Sequence, residues 1–183
     1  VRSQEKFDLT QDEIVSQAIM MLVAGQVTTS DQICNIMYQI AQHQDLQVCL
    51  KENPGLIQGA IEELTRFDPA VTFIFRVATA DSAVGDQPIQ AGDTIFISTH
   101  AVNRNSVENG AQINIRRPQA NNHLSYGFGP HYCIGARLAR LEMQTLFEEL
   151  MRQLPLVSVA RAERDHYSLS FSGFKTLSLR RTE

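Results

Sequence analysis

The sequence has no surplus of positive charge. It has 16 lysines and arginines and 20 aspartates and glutamates, which gives a net charge of -4. Nucleic-acid-binding domains usually carry a basic surplus, so this class is excluded. Long apolar runs are also missing: "AIMMLVAG" (18–25) is among the longest, and a membrane-spanning helix needs roughly 18 such residues. We therefore expect a protein that binds neither nucleic acid nor a membrane.

Cysteine is scarce, with only Cys34, Cys49 and Cys133. The odd count and the lack of paired spacing argue against a disulfide scaffold. The absence of any Cys-x-x-Cys pair argues against a structural zinc site. The opening "VRSQEKFDLT" lacks the apolar core of a secretory signal. These absences predict a cytoplasmic protein.

Hydrophobic periodicity predicts four helices. "TQDE" (10–13) has the pattern of a capping box. Apolar residues at helical spacing continue to Ile40, which predicts a first helix of about 30 residues against a usual mean near 12. Further helices are expected in three places: around Leu46 to Lys51, over "LIQGAIEELTRF" (56–67), and from Cys133 to a stop at Pro155.

The remaining segments favour small sheets and loops. "VTFIFRVA" (71–78) and "DTIFIS" (93–98) are rich in β-branched and aromatic residues and predict strands, with a turn in "QPIQAGD" (87–93). "NRNSVENGAQINIRRPQANN" (103–122) predicts a long irregular loop, and the tail predicts short strands with a turn at Gly173. The order is typical of an α+β fold that is mainly α rather than of repeating βαβ units.

The most informative segment is "HLSYGFGPHYCIGARLARLE" (123–142). Glycines at 127, 129 and 135 surround Cys133, and glycine is used where the backbone is approached closely or takes unusual angles. Cys133 directly precedes a predicted helix, whose free N–H groups and dipole stabilise a thiolate. Such a thiolate is a nucleophile or a metal ligand. With no cluster of further ligands nearby, the metal would bring its own, as haem iron does.

"YGFGPHYCIGARLARLE" resembles the haem-binding loop of the cytochrome P450 family, Phe-x-x-Gly-x-x-x-Cys-x-Gly. Gly129, Cys133 and Gly135 match this pattern, and Tyr126 stands at the Phe position. Further segments resemble the family's motifs in the family's order: "AGQVTT", Glu63-Leu-Thr-Arg66, "VNRN" and "FSGFKTLSLR". The resemblance implies that residues 1–183 form a single C-terminal haem-binding portion of that catalytic domain.

The resemblance implies a role for each matched residue of the loop. Cys133 would be the proximal thiolate ligand of haem b (iron protoporphyrin IX), with Tyr126, Gly129 and Gly135 shaping the loop around it. Two further positions, His131 and Arg76, match residues that pair with the haem propionates in charge-assisted contacts.

Roles on the other side of the cofactor are implied in the same way. Ala24 and Gly25 would leave room for dioxygen over the iron, and Thr28 would hydrogen-bond it and help to deliver protons. An ordinary helical threonine that bonds back to a carbonyl is the alternative for Thr28. Glu63 and Arg66 would form a structural ion pair behind the cysteine loop.

Two departures from the family pattern affect these expectations. Val27 stands where the family has an acidic residue, and a valine cannot relay a proton, so Thr28, Thr29 or water would have to do so. Gln112 and Ile113 lie where the family has Arg-Phe. We therefore expect the third member of the Glu-Arg-Arg network to be absent.

The implied function is a haem-thiolate monooxygenase that inserts one oxygen atom of dioxygen into a small apolar substrate. A ferredoxin-type donor with its reductase would supply the electrons, meeting a face around Arg137 and Arg140 by charge complementarity. Two alternatives remain. One is a truncated or degenerate haem-binding or interaction module, and the other is a haem-thiolate isomerase, dehydratase or peroxide-using enzyme.

Overall fold

The computed structural model describes residues 9–165 and 168–182, so the first eight residues and two parts of the predicted tail, 166–167 and 183, lie outside the described ranges. The first helix, α1, spans Gln11–Gln42 and has 32 residues. Thr10 caps it: its hydroxyl accepts from the Glu13 N–H, and the Glu13 carboxylate accepts from the Thr10 N–H at 2.8 Å. The predicted capping box and long helix are confirmed.

Three further helices pack around the second half of α1. They are α2 (Gln44–Glu52), α3 (Ile57–Phe67) and α5 (Ala136–Gln153). A single 3-10 turn, Pro54–Leu56, joins α2 to α3, because proline fits the first turn of a helix. The core is formed by fully buried apolar side chains from all four helices: Ile36, Ile40, Leu50, Ile57, Leu64, Met143 and Phe147.

Within the described residues, the strands form three two-stranded antiparallel sheets. They pair β1 (Phe73–Val77) with β4 (Thr94–Ser98), β2 (Ser82–Val84) with β3 (Gln87–Ile89), and β5 (Val157–Arg164) with β6 (Phe174–Arg181). The α+β, mainly α fold class is confirmed. Two boundaries differ from the prediction: β3 occupies part of the expected turn, and α4 (Thr99–Asn105) takes up the start of the expected loop.

Helix α1 is anchored to the strands by polar side chains. Gln32 donates to the Asp68 carbonyl and accepts from the Ala70 N–H, and Asn35 donates to the Ser172 carbonyl. These contacts fix the second half of α1 against the end of α3 and the β5–β6 hairpin. The apolar side chains of its first half are exposed. No helix in the described ranges is long and apolar enough to cross a membrane.

Candidate functional site

The cysteine loop, residues 123–135, runs into α5. Gly127 and Gly129 have φ angles of +76° and +75°, which side chains with a Cβ rarely adopt, so both positions favour glycine. The Cys133 N–H donates to the Tyr126 carbonyl at 2.9 Å and closes the loop. Cys133 itself is exposed, so its thiol is accessible to a ligand.

The sulfur of Cys133 lies at the beginning of α5. A Cβ placed on Gly135, the residue before the helix, would lie 3.9 Å from Sγ. Phe128 and Ile134, on either side, are 82% and 95% exposed. A loop that exposes a sulfur together with apolar side chains fits a large, flat, apolar group.

The available donors point to the same kind of group. Within residues 9–165 and 168–182, no three His, Cys, Asp or Glu side chains come together in a way that could hold a metal ion. A metal bound at Cys133 would therefore have to bring its remaining ligands, and haem iron does so. The loop thus fits a haem with Cys133 as its axial ligand.

Arg76 and His131, the two residues matched to propionate contacts, are both exposed. Arg76 lies on β1 and donates to the Phe75 carbonyl at 2.7 Å. His131 ends the 3-10 turn that precedes Cys133. Across the described ranges, neither residue pairs with a carboxylate. Both can therefore contact an external acidic group.

The segment matched to oxygen binding lies in the exposed half of α1. A Cβ placed on Gly25 would meet nothing within 4 Å, so the helix surface is open there. The Thr28 hydroxyl donates to the Ala24 carbonyl at 2.7 Å, as an ordinary helical threonine does. This bond uses the hydroxyl proton and leaves the oxygen's lone pairs to accept a hydrogen bond.

Glu63 and Arg66 form a two-point ion pair on α3, with nitrogen–oxygen distances of 2.8 and 2.9 Å and side chains 0% and 1% exposed. The expectation that the third member is absent is wrong. Arg117 donates to both oxygens of Glu63 at 3.2 and 3.1 Å. Burial raises the pKa of Glu63, but hydrogen bonds from Arg66 and the Asn114 N–H outweigh it and hold that pKa below its usual value.

This ion-pair network is joined to the cysteine loop by Asn103 of α4. The Asn103 carbonyl accepts from Arg66 at 2.8 Å, and its side chain accepts from the Leu124 N–H and donates to the Ser125 hydroxyl. Ser125 in turn donates to the Thr65 carbonyl of α3. The start of the loop is therefore fixed to α3 and α4 through buried polar contacts.

Comparison with known proteins identifies the family. The family model for cytochrome P450 matches residues 2–55 and 53–172. The chain belongs to the cytochrome P450 family. Among its relatives, mycinamicin VIII C21 methyl hydroxylase of Micromonospora griseorubida is 35% identical over 85% of this chain and 40% of the relative. A biotin biosynthesis cytochrome P450 of Bacillus subtilis is 33% identical over 97% of this chain and 45% of the relative.

Solved structures show the same fold. The structure of P450 RauA, complexed with a biosynthetic intermediate of aurachin RE, superposes with a TM-score of 0.92 at 31% identity and covers 99% of this chain. The match covers 45% of that structure. The chain therefore spans about two fifths to one half of the length of the P450 proteins it matches. The family implies a haem-iron cofactor.

A second ion-pair cluster behind the P450 cysteine loop was not predicted. Arg140 of α5 pairs with Glu62 of α3 at 2.6 and 3.0 Å, and His123 Nε2 lies 3.3 Å from Glu62 Oε2. Burial raises the pKa of Glu62, but the contacts from His123 and Arg140 lower it to about 2. The same carboxylate raises the pKa of Arg140. Arg137, by contrast, is exposed.

The missed residues carried only faint signals in the sequence. Arg117 belongs to an Arg-Arg-Pro segment in the predicted loop, but the altered spacing of this P450 chain pointed to Gln112 instead. Glu62 and Arg140 are 78 residues apart, and His123 was interpreted as an ordinary histidine. The available signals were that Glu62 stands directly before the recognised Glu63 and that Arg140 lies within the recognised cysteine-loop segment.

Proposed function

We propose that this chain is the haem-thiolate part of a monooxygenase that inserts one oxygen atom of dioxygen into an apolar organic substrate. The observation that carries the proposal is the exposed Cys133 sulfur at the beginning of α5, inside a glycine loop of a P450 chain. Cys133 would be the axial ligand of haem b, and Arg76 and His131 would contact its propionates. When bound, the haem supplies the dioxygen chemistry, and the protein sets the ligand, orientation and proton access.

On the proximal side, the cysteine loop sets the position of the sulfur. The Cys133 N–H donates to the Tyr126 carbonyl, and this contact fixes the position of the ligand at the beginning of α5. Gly129 has no side chain, and a Cβ built there would meet nothing within 4 Å, so the space beside it is open. The loop therefore leaves room for a large, flat group.

On the distal side, proton delivery would proceed without a carboxylate beside Thr28. Val27 is apolar and has no proton to give. The Thr28 oxygen can accept a hydrogen bond in the open space next to Gly25 while its own hydroxyl proton is donated to the Ala24 carbonyl. To donate a proton, the hydroxyl must rotate away from Ala24. Thr29 or a water molecule is the alternative donor.

Two electrons per turnover would come from a ferredoxin-type donor and its reductase. Arg137, exposed on the first turn of α5 next to the cysteine loop, supports contact with an acidic partner by charge complementarity. The three cysteines Cys34, Cys49 and Cys133 are free, which supports a reducing, cytoplasmic setting for this chemistry.

A spectrum of the reduced carbonyl complex tests the thiolate ligand. The natural full-length polypeptide that carries this sequence, loaded with haem, is expected to show the red-shifted Soret band of thiolate-ligated haem. Cys133→Ser should abolish this band. Cys49→Ser is the matched control, since Cys49 is a half-buried cysteine on α2, and it should leave the band unchanged. A folded, haem-loaded Cys133→Ser protein with an unchanged spectrum would refute the assignment.

The remaining alternatives are separated by turnover. A monooxygenase consumes dioxygen and reduced nicotinamide through supplied ferredoxin and reductase when a substrate is present. An isomerase or a peroxide-using enzyme shows the thiolate band but no such consumption, and a degenerate module shows neither. Val27 is the observation that keeps the degenerate-module alternative open, because it removes the usual proton relay.

A further inference from the structure

Arg140 makes three different contacts at once, and each needs the shape of a guanidinium. Its Nε and Nη2 donate to the two oxygens of Glu62 at 2.6 and 3.0 Å. Its Nη1 donates to the Tyr132 hydroxyl at 3.0 Å, and its central carbon lies 4.3 Å from the centre of the Tyr126 ring. The two-point contact with Glu62 fixes the plane of the guanidinium. The other two contacts follow from that plane.

Each of the two tyrosines is directly connected to Cys133. Tyr132 directly precedes Cys133, and the Tyr126 carbonyl accepts the Cys133 N–H at 2.9 Å. Arg140, a single side chain of α5, therefore contacts both of the tyrosines that are connected to Cys133. Glu62 also reaches the beginning of the loop, where His123 Nε2 lies 3.3 Å away and His123 Nδ1 accepts from the Ser125 N–H.

We propose that Arg140, oriented by Glu62, is a positioning residue that holds Tyr126 and Tyr132 and thereby fixes the Cys133 thiolate toward iron. The inference rests on the proposed haem-thiolate function. It gives Arg140 a role different from docking the electron donor: its side chain is 28% exposed and its charge is matched by Glu62, whereas Arg137 remains exposed.

Two consequences follow from this geometry. Without the guanidinium, the segment from Tyr126 to Cys133 loses two of its side-chain anchors, so the sulfur holds the iron less firmly. The Glu62 carboxylate would also lose its cation, and the extra negative charge near the iron would favour the ferric state. Arg140→Lys keeps the positive charge, but an ammonium group cannot make the planar two-point contact with Glu62 and donate to Tyr132 at the same time.

The test uses the haem-loaded full-length polypeptide and two measurements: the haem reduction potential, and the rate at which the reduced carbonyl complex loses its red-shifted band. Groups that hold a metal ligand in place typically contribute about 10- to 100-fold, so Arg140→Gln should lose the band about tenfold faster. Its potential should shift to more negative values. Arg140→Lys should recover the potential but not the band lifetime.

Two further variants keep the test decisive. Tyr132→Phe removes only one hydroxyl, is expected to fold, and should shorten the band lifetime in the same direction by a smaller factor. Arg152→Gln is the matched control, because Arg152 pairs with Glu149 on the exposed side of the same helix. It should leave both measurements unchanged.

The outcomes are distinguishable. If the wild-type protein shows the thiolate band and Arg140→Gln keeps its wild-type potential and lifetime, the inference is wrong and the proposed function stands. A change in melting temperature alone, without either shift, also overturns it. Should Arg140→Gln fail to fold, an unchanged band lifetime in Tyr132→Phe overturns it. If the wild-type protein shows no thiolate band, the proposed function and this inference are both wrong.

Discussion

Arg117 lies with its Nε between the two carboxylate oxygens of Glu63, at 3.2 and 3.1 Å, although the residues are 54 positions apart. The remaining nitrogens of Arg117 donate to the carbonyls of Glu108, Asn109 and Gln112. One side chain therefore ties α3 to the irregular segment that leads to the cysteine loop. The contact gives that segment a fixed course despite its lack of regular structure.

Removing Arg117 should destabilise the protein. Arg117→Met leaves part of the Glu63 charge uncompensated in the interior, and breaking such a pair typically costs about 3–5 kcal/mol. The free energy of unfolding, measured by urea titration, is expected to fall by an amount of that order. The neighbouring Arg116 is exposed, so Arg116→Met should change it by less than about 0.5 kcal/mol. Equal losses in the two variants would contradict the structural role.

Gly110 is expected to tolerate no side chain. A Cβ there would lie 1.9 Å from the Arg104 carbonyl oxygen, and this oxygen belongs to the backbone. Gly110 also accepts a hydrogen bond from Arg66 through its own carbonyl. Gly110→Ala should therefore reduce the free energy of unfolding by about 3 kcal/mol, near the upper end for overpacking.

Gly55 provides the matched control for that substitution. A Cβ on Gly55 would meet nothing within 4 Å. Gly55→Ala should be neutral or should stabilise the protein by up to about 1 kcal/mol, because alanine allows the unfolded chain fewer backbone conformations than glycine does. A thermal or urea titration of both variants makes the comparison. A neutral Gly110→Ala would show that the loop moves away from Arg104 at little cost.

Acid stability should depend on Glu62. The pKa of Glu62 is lowered from 4.5 to about 2 in the folded protein. Its contribution to the free energy of unfolding is therefore fully present above about pH 4.5 and is lost as the pH falls toward 2. A shift of this size corresponds to on the order of 3 kcal/mol. Glu62→Gln should remove this part of the pH dependence, as seen in unfolding titrations between pH 5 and pH 2.5. Glu142→Gln, at an exposed position on α5, should keep the wild-type slope.

Thr28 and Thr29 can be separated by coupling efficiency, which is the fraction of consumed electrons that appears in the product. If Thr28 handles the proton, Thr28→Val should lower this fraction by about tenfold or more, since a positioned proton donor contributes at least that much. Thr28→Ser should restore it. Thr29→Val should have little effect, and a larger loss in Thr29→Val than in Thr28→Val would assign proton delivery to Thr29.

Local features of the site were predictable from the sequence. The capping box that begins α1 and the helical spacing of Glu63 and Arg66 involve residues three positions apart. The glycines before Cys133 are required by backbone angles that they adopt in the loop itself. Each of these features depends on short-range geometry, which a chain specifies within a few residues.

The contacts that complete the site could not be predicted in the same way. Arg117 meets Glu63, and Arg140 meets Glu62, only because packing of the four-helix core brings distant segments together. Many arginines in the sequence could have served either carboxylate. The choice depends on the path of irregular segments, which no periodic pattern describes.

The sequence by itself determined the long helix, the small strands, the cysteine loop and the residue that offers sulfur, because each is set by the covalent order of nearby residues. The tertiary structure alone decided which charges are neutralised: Arg117 is held by the buried Glu63 and Arg140 by the partly buried Glu62, whereas Arg76 and Arg137 stay exposed. The physical reason is that an ion pair depends on distance in space, and folding sets that distance independently of separation along the chain.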